Sequence, residues 1–149
     1  MNRFLNLSIQ ARLDPAFPLS RREVTALIAD ILAVLGLTGA QLSLTLLDDA
    51  AIAVINRDHL GGDGPTNILS FPEDDPDQPV VLGELFLSVD TLAREAYLYG
   101  QDPARHLTRL LTHGILHLAG YDHSHEMDAL TEIAVDTVCP ETWGDQESA

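Results

Sequence analysis

Three histidines in the carboxyl-terminal third of the chain have the residue type and spacing that most directly suggest chemistry. His113 and His117 are four positions apart. On a helix this spacing places both imidazoles on one face, one turn above the other. Gly120 follows where the helix should end, because glycine readily adopts the left-handed turn after a helix. The chain can then reverse direction and bring His123 to the same point in space.

Three neutral imidazoles that meet at one point form a metal site with an open fourth position. This is the arrangement of a catalytic zinc ion, because a structural zinc site normally has a fourth protein ligand. The sequence therefore predicts that His113, His117 and His123 bind one Zn²⁺ per chain. Apolar neighbours should form a buried wall beside the ion; they are Leu110, Leu111, Ile115, Leu116 and Leu118.

The residue after the first histidine separates two classes of zinc hydrolase. Zinc proteases carry glutamate there as the general base, in the pattern His-Glu-x-x-His, whereas this chain has Gly114. A protease-like hydrolase is therefore the less favoured alternative. We expect Asp122, a carboxylate close to the cluster, to orient a ligand histidine through its free ring nitrogen. An equally good interpretation is a turn residue whose side chain accepts a hydrogen bond from its own backbone.

Residues 113–123, with the sequence HGILHLAGYDH, resemble the signature of the YbeY family of bacterial endoribonucleases. Two further blocks agree, GPTNILSFP at 64–72 and LGEL at 82–85, and matching order and spacing extend over about residues 42–130. The resemblance implies a zincin-like fold with the metal-bearing helix against a sheet. It also implies a metal-dependent, single-strand-specific endoribonuclease that acts in ribosomal RNA maturation and ribosome quality control.

The family comparison also suggests which residues contact the RNA. Thr66, Asn67 and Ser70 are polar residues around a short predicted strand, and the comparison favours them as substrate-binding residues. Hydrogen bonds within a turn or at a sheet edge are the equally good alternative.

The family has an arginine with a role in activity at the position that is Leu60 here. Residues 57–66 are glycine-rich and are predicted to form a loop, and Arg57 in this loop is our candidate for a catalytic guanidinium. Arg109, one turn before His113, is a further candidate for binding the substrate. An arginine contributes most where it holds phosphate in a bidentate manner, although an ordinary solvated arginine is the simpler interpretation of each. Because of Leu60, a second hypothesis is a metal-stabilised binding module that docks on the ribosome or a ribosome-associated factor, with weak or no nuclease activity.

The charge of the chain limits how it can bind RNA. Its formal net charge is −15, and all eight basic residues are arginines. Nucleic-acid affinity normally comes from many basic contacts to phosphate, so we expect local contacts with RNA or a partner that supplies them. The acidic run at 73–77, with the sequence EDDPD, should form a solvated loop that repels RNA.

Length and composition predict one domain, residues 1–149, with a frayed tail at about 140–149. The single Cys139 cannot form an internal disulfide, and the amino terminus reads as a strand and not as a signal peptide. These features fit a cytoplasmic protein. The predicted fold class is α+β, with a mixed sheet of about four strands packed with about five helices. The predicted strands are 6–12, 42–47, 68–71 and 82–88, and the predicted helices are about 21–35, 49–56, 91–99, 103–119 and 125–138.

Overall fold

The elements of the chain follow the α+β, zincin-like pattern. The computed structural model describes residues 4–139, and within them it contains one sheet of four strands and five helices. The strands are β1 (Leu5–Ile9), β2 (Gln41–Leu47), β3 (Ile68–Pro72) and β4 (Val81–Ser88). The helices are α1 (Arg21–Val34), α2 (Asp49–Leu60), α3 (Val89–Leu98), α4 (Pro103–Leu118) and α5 (His125–Val138). The predicted fold class is confirmed.

The sheet has the strand order β1-β2-β4-β3, in which only β3 is antiparallel to its neighbour. The Ser88 N–H donates to the Asn67 carbonyl at 2.9 Å, which makes these two a hydrogen-bonded pair beside the ladder. Because such pairs alternate along an antiparallel ladder, the backbone groups of Ile68 and Ser70 point away from β4. The edge strand β3 therefore presents polar backbone groups to the space beside α4.

The larger part of the core lies on the face of the sheet that packs against α1, α3 and α4. A smaller cluster around Leu47, Ile52 and Leu69 lies on the opposite face, under α2. At Gly114, a Cβ atom would come within 2.9 Å of both Ile68 Cδ1 and Leu85 Cδ2. The absence of a side chain at Gly114 therefore lets α4 lie directly against β3 and β4, at the level of the helical histidines.

Several helix starts are where the capping residues predict them. Ser20 and Glu23, three positions apart, form a capping box at the start of α1. Asp102 caps α4 and is followed by Pro103 at the first helical position. The predicted α3 start was two residues late, because Ser88 and not a later residue is its cap.

The largest difference from the sequence prediction is at the end of α2. Residues 57–66 were predicted as a loop because of their glycines, but α2 continues to Leu60. The loop prediction was wrong for residues 57–60, because no helix-breaking residue precedes Gly61, which ends α2 in a left-handed conformation with φ 67°. Arg57 thus lies on a helix. The predicted frayed tail at 140–149 lies outside the described residues, and no helix among residues 4–139 has the length and apolar character needed to cross a membrane.

Candidate metal centre and cleft

The structure brings the three predicted histidines together. His113 and His117 lie on α4, and His123 comes from the turn that follows. One ligand nitrogen from each ring lies within 4.8 Å of the others. The ring centroids are 4.8 Å apart for His113 and His117, 5.0 Å for His113 and His123, and 4.6 Å for His117 and His123. Across residues 4–139, no other group of three histidine, cysteine or acidic side chains converges in this way.

The turn after α4 places His123 beside the helix. The Gly120 N–H donates to the His117 carbonyl at 3.1 Å, and the Tyr121 N–H donates to the Leu116 carbonyl at 3.0 Å. Gly120 adopts φ 98°, in the region that favours glycine. Ser124 then caps α5, because its hydroxyl accepts a hydrogen bond from the Met127 N–H at 3.2 Å. His123 is held between a helix-ending turn and a helix-starting cap.

The surroundings of His113 favour its neutral form. Burial lowers the pKa of His113, and the positive charges that His117 and His123 would carry lower this pKa further, against a weaker opposite effect of Asp128. A neutral imidazole offers a lone pair to a metal ion. Zinc–nitrogen distances of about 2.1 Å at tetrahedral angles require nitrogens about 3.4 Å apart, so ring shifts of about an ångström would close the cluster on an ion. The donor set therefore fits a zinc-like metal.

A cleft of about 600 Å³ opens beside the histidines. One wall is the turn after α4, and the other is the edge strand β3. Its lining residues are Asn67, Ile68, Leu69, Ser70, Pro72, His113, His117, Gly120, Tyr121, Asp122 and His123. Three of the predicted catalytic or substrate-binding residues, Asn67, Ser70 and Asp122, therefore line the cleft.

Asn67 and Ser70 tie the wall formed by β3 to its neighbours. The Asn67 Oδ1 accepts a hydrogen bond from the Ile68 N–H at 2.7 Å. The Asn67 Nδ2 donates to the Glu95 carboxylate at 3.2 and 3.3 Å. The Ser70 hydroxyl donates to the Gly114 carbonyl at 3.4 Å. Glu95 has no counterpart in the sequence prediction, because it lies 28 positions from Asn67.

The predicted residues that do not line the cleft are Arg57, Arg109 and Thr66. The Arg109 guanidinium donates to the Glu132 carboxylate at 3.0 and 3.1 Å and to Gln101 at 3.1 Å. Arg57 donates to Asp58 at 3.0 Å in an ion pair in which the arginine side chain is 67% exposed. Thr66 is half-buried immediately before the cleft residues of β3.

The electrostatic lining of the cleft is unusual for a protein predicted to cut RNA. Among residues 4–139, no arginine lines it, and Asp122 is its only carboxylate. Asp122 is exposed, and among residues 4–139 no hydrogen bond joins its carboxylate to a histidine ring. Tyr121 also lines the cleft, and the sequence prediction did not include it. Its position between the helix-ending Gly120 and Asp122 is the sequence signal that identifies it as a cleft residue.

The position of the protease base is closed by packing. Because a Cβ at Gly114 would meet Ile68 Cδ1 and Leu85 Cδ2 at 2.9 Å, a longer side chain there would have to displace these two side chains, which pack from the sheet against α4. The structure thus agrees with the sequence in disfavouring the protease-like hydrolase.

Comparisons with known proteins agree with the site. The family model described as Endoribonuclease YbeY matches residues 14–134. Endoribonuclease YbeY of Oleidesulfovibrio alaskensis is 45% identical over 137 residues, which cover 78% of this chain and 81% of the relative. The Nitratidesulfovibrio vulgaris protein of the same name is 46% identical over 135 residues, with 78% and 83% covered. A solution structure of a Thermotoga maritima protein superposes with a TM-score of 0.63 at 27% identity, covering 95% of this chain and 92% of that one. With its three converging histidines and this extent of similarity, the chain belongs to the YbeY endoribonuclease family.

Proposed function

We propose that this protein is a zinc-dependent endoribonuclease that cuts single-stranded RNA in the maturation and quality control of ribosomal RNA. The observation that carries the proposal is the cluster of three histidines at the wall of an open cleft. Membership of a family described as Endoribonuclease YbeY supports the RNA substrate. A ribosomal RNA substrate would place the protein in the cytoplasm.

His113, His117 and His123 would hold the metal ion. When bound there, a zinc ion would polarise a phosphoryl oxygen and lower the pKa of an attacking hydroxyl group or water. The neutral state that burial favours for His113 suits this role, because a protonated imidazole cannot bind a cation.

The protein's own groups around the cleft would position the RNA and move a proton. Asp122, the one carboxylate among the described lining residues, would accept the proton of the attacking group. The outward backbone N–H of Ser70 and the side-chain amide of Asn67 are neutral donors for phosphate oxygens. Neutral donors suit an acidic protein, because they bind an anion without requiring a basic surface.

The lining of the cleft favours a single strand over a duplex. A duplex carries a dense array of phosphates, which the net charge of −15 repels. An unpaired strand can instead turn its bases toward a wall, and Tyr121 and Ile68 offer aromatic and apolar surface there. The ribosome, or a factor associated with it, would supply the remaining contacts to RNA.

Cleavage of a labelled single-stranded RNA by zinc-loaded protein tests the proposal. We expect cleavage that is lost on chelation, lost in His117→Ala, and restored to the wild-type protein by added zinc. The matched control is His125→Ala, which removes a nearby histidine outside the cluster. Cleavage that survives both the chelator and His117→Ala would contradict the proposal.

One observation favours the binding module as a second candidate. The family's arginine is Leu60 here, and no described arginine lines the cleft. Wild-type protein that binds single-stranded RNA or ribosomes in the presence of zinc, but leaves the RNA intact, would support that candidate.

A further inference from the structure

A carboxylate outside the metal cluster joins three elements beside the cleft. Glu95 on α3 accepts hydrogen bonds from Asn67, which directly precedes β3. The same carboxylate lies 3.0 Å from the Nε2 of His106 on α4, two helical turns before His113. The His106 side chain is only 9% exposed and that of Glu95 is 21% exposed. None of the catalytic steps proposed above uses this pair.

The partners on both sides of the Asn67 amide fix its orientation. A carboxylate can only accept hydrogen bonds, so Nδ2 must face Glu95 and the ring Nε2 of His106 must carry the hydrogen. Oδ1 must face the Ile68 N–H, which is a donor at 2.7 Å. The opposite orientation of the amide would place oxygen against carboxylate and N–H against N–H.

This orientation leaves one donor of Asn67 available. Seen from Nδ2, the two oxygens of the Glu95 carboxylate are separated by a much smaller angle than the two N–H bonds of the Asn67 amide. A single N–H of Asn67 therefore serves both oxygens. The Ile68 N–H points away from β4, and the amide that accepts from it therefore lies at the open edge of the sheet. Asn67 lines the cleft, and its second N–H is the group that can reach a bound molecule there.

We propose that Glu95 and His106 are positioning residues for substrate binding, because they hold the Asn67 amide with its free N–H toward a phosphate oxygen of RNA in the cleft. This proposal rests on the proposed RNA substrate. His106 donates to Glu95 and so fixes the plane of the carboxylate, and Glu95 in turn fixes the amide. Asn67 also stands between the Glu95 carboxylate and the cleft, and it presents a donor where a bare carboxylate would repel phosphate.

This arrangement is tested by measuring the affinity of zinc-loaded protein for a fluorescent single-stranded RNA. KM, kcat, zinc content and melting temperature are measured on the same variants. We expect Asn67→Ala, Glu95→Ala and His106→Phe each to raise Kd and KM about three- to tenfold, which is the range for the loss of one hydrogen bond. The zinc content should stay near the wild-type value, and kcat should change less than KM. Glu95→Gln keeps an acceptor oxygen and should recover most of the affinity. Asp136→Asn removes an ion pair between α4 and α5 away from the cleft and is the matched control.

A double mutant separates positioning from a structural role. If Glu95 acts through Asn67, the variant Glu95→Ala/Asn67→Ala binds RNA no more weakly than Asn67→Ala alone. Effects that multiply would overturn the proposal, as would a lower melting temperature of Glu95→Ala with unchanged Kd. If Glu95→Ala does not fold, the same comparison is made with His106→Phe.

The failure of the proposed nuclease function would look different. Wild-type protein that binds the RNA without cutting it contradicts the nuclease function, while the Kd values still decide whether Glu95 and His106 position Asn67. Wild-type protein that binds no RNA overturns both proposals.

Discussion

The hydroxyl of Ser70 on β3 donates a hydrogen bond to the backbone carbonyl of Gly114 on α4, at 3.4 Å. Gly114 lies between the two helical histidines, and its missing side chain is what allows the strand to come this close. The wall of the cleft and the helix that carries the metal-binding residues are thus in direct contact. Any movement of β3 on binding RNA would therefore be transmitted to α4, which carries His113 and His117.

Removal of one histidine should remove the metal. Two imidazoles and water bind zinc weakly compared with three imidazoles, so His117→Ala should lose most of about one zinc ion per chain. Elemental analysis of purified protein measures this, with His125→Ala as the variant that keeps its metal. Full zinc occupancy in His117→Ala would contradict the three-ligand site.

Two threonines on α4 should respond in opposite ways to the same substitution. The Thr112 hydroxyl is buried and has no hydrogen-bond partner among residues 4–139, so Thr112→Val removes an unsatisfied group and should raise the free energy of unfolding by about 1 kcal/mol. The Thr108 hydroxyl donates to the Ala104 carbonyl at 2.7 Å, so Thr108→Val should lower it by about 1 kcal/mol. Urea denaturation measures both. An equal loss of stability in the two variants would mean that Thr112 has a partner.

Stability should decrease in acid partly through Asp49. Burial raises the pKa of Asp49, but hydrogen bonds from Thr91, Ser88 and Arg94 outweigh burial and hold this pKa below its ordinary value of 3.8. A carboxylate with a lowered pKa in the folded state stabilises the protein above its unfolded pKa, and this contribution is lost as the pH falls through the folded value.

Denaturation of wild-type protein and Asp49→Asn over a pH series tests this. The difference in unfolding free energy between them should be constant near neutral pH and should shrink as the pH falls below 3.8. A difference that grows toward acid pH would contradict the direction of the shift.

The dependence of RNA affinity on salt should be shallow. No described arginine lines the cleft and the chain has no lysine, so few phosphates can be neutralised together. The slope of log affinity against log salt for single-stranded RNA should be about −2 or flatter, at about 0.7 per phosphate contact. Binding titrations over a range of salt concentrations measure it. A slope near −5 would reveal a basic surface formed by other parts of the protein.

Substitutions at the end of α2 test the departure from the family arginine. Arg57 and Leu60 are three positions apart on one helix, so their side chains are neighbours on its surface. The ion pair of Arg57 with Asp58 is exposed and contributes little, so breaking it for a contact with RNA would cost little. Arg57→Ala should reduce cleavage by roughly ten- to a thousandfold, the range for removing one donor to a developing charge.

Zinc content and melting temperature should hardly change in Arg57→Ala, and Arg12→Ala is the control that removes one exposed positive charge elsewhere. Leu60 is 57% exposed, so Leu60→Arg should keep or raise activity without harm to the core. If Arg57→Ala has no effect and Leu60→Arg creates activity where there was little, the binding module becomes the better description.

The parts of the site that could be predicted from the sequence are those that local geometry determines. The spacing of His113 and His117, followed by a helix-ending glycine and His123, determines the convergence of the three rings within eleven residues. The caps of α1 and α4 are likewise read from single residues and their neighbours.

The remaining contacts depend on pairing between distant elements, which no local pattern reports. Arg109 pairs with Glu132, 23 positions away, and Glu95 meets Asn67 across 28 positions. The predicted roles of Arg109 and Asp122 rested on their closeness in sequence to the histidines, and that of Arg57 on its closeness to Leu60, the position of the family's arginine. Arg109 lies on α4 one turn before His113, but its side chain pairs with Glu132 on α5 and does not line the cleft.

The open edge of β3 is a site at which two molecules can associate, and residues in and after the strand oppose this. An exposed strand edge can pair with the same strand of a second molecule and lead to aggregation. Pro72 occupies an outward-facing position and has no N–H to offer. The exposed segment 73–77 follows immediately, and four of its five residues are Asp or Glu, so two copies whose β3 strands paired in parallel would bring like charges together. The acidic stretch that we expect to repel RNA would therefore also oppose the pairing of two molecules at this edge.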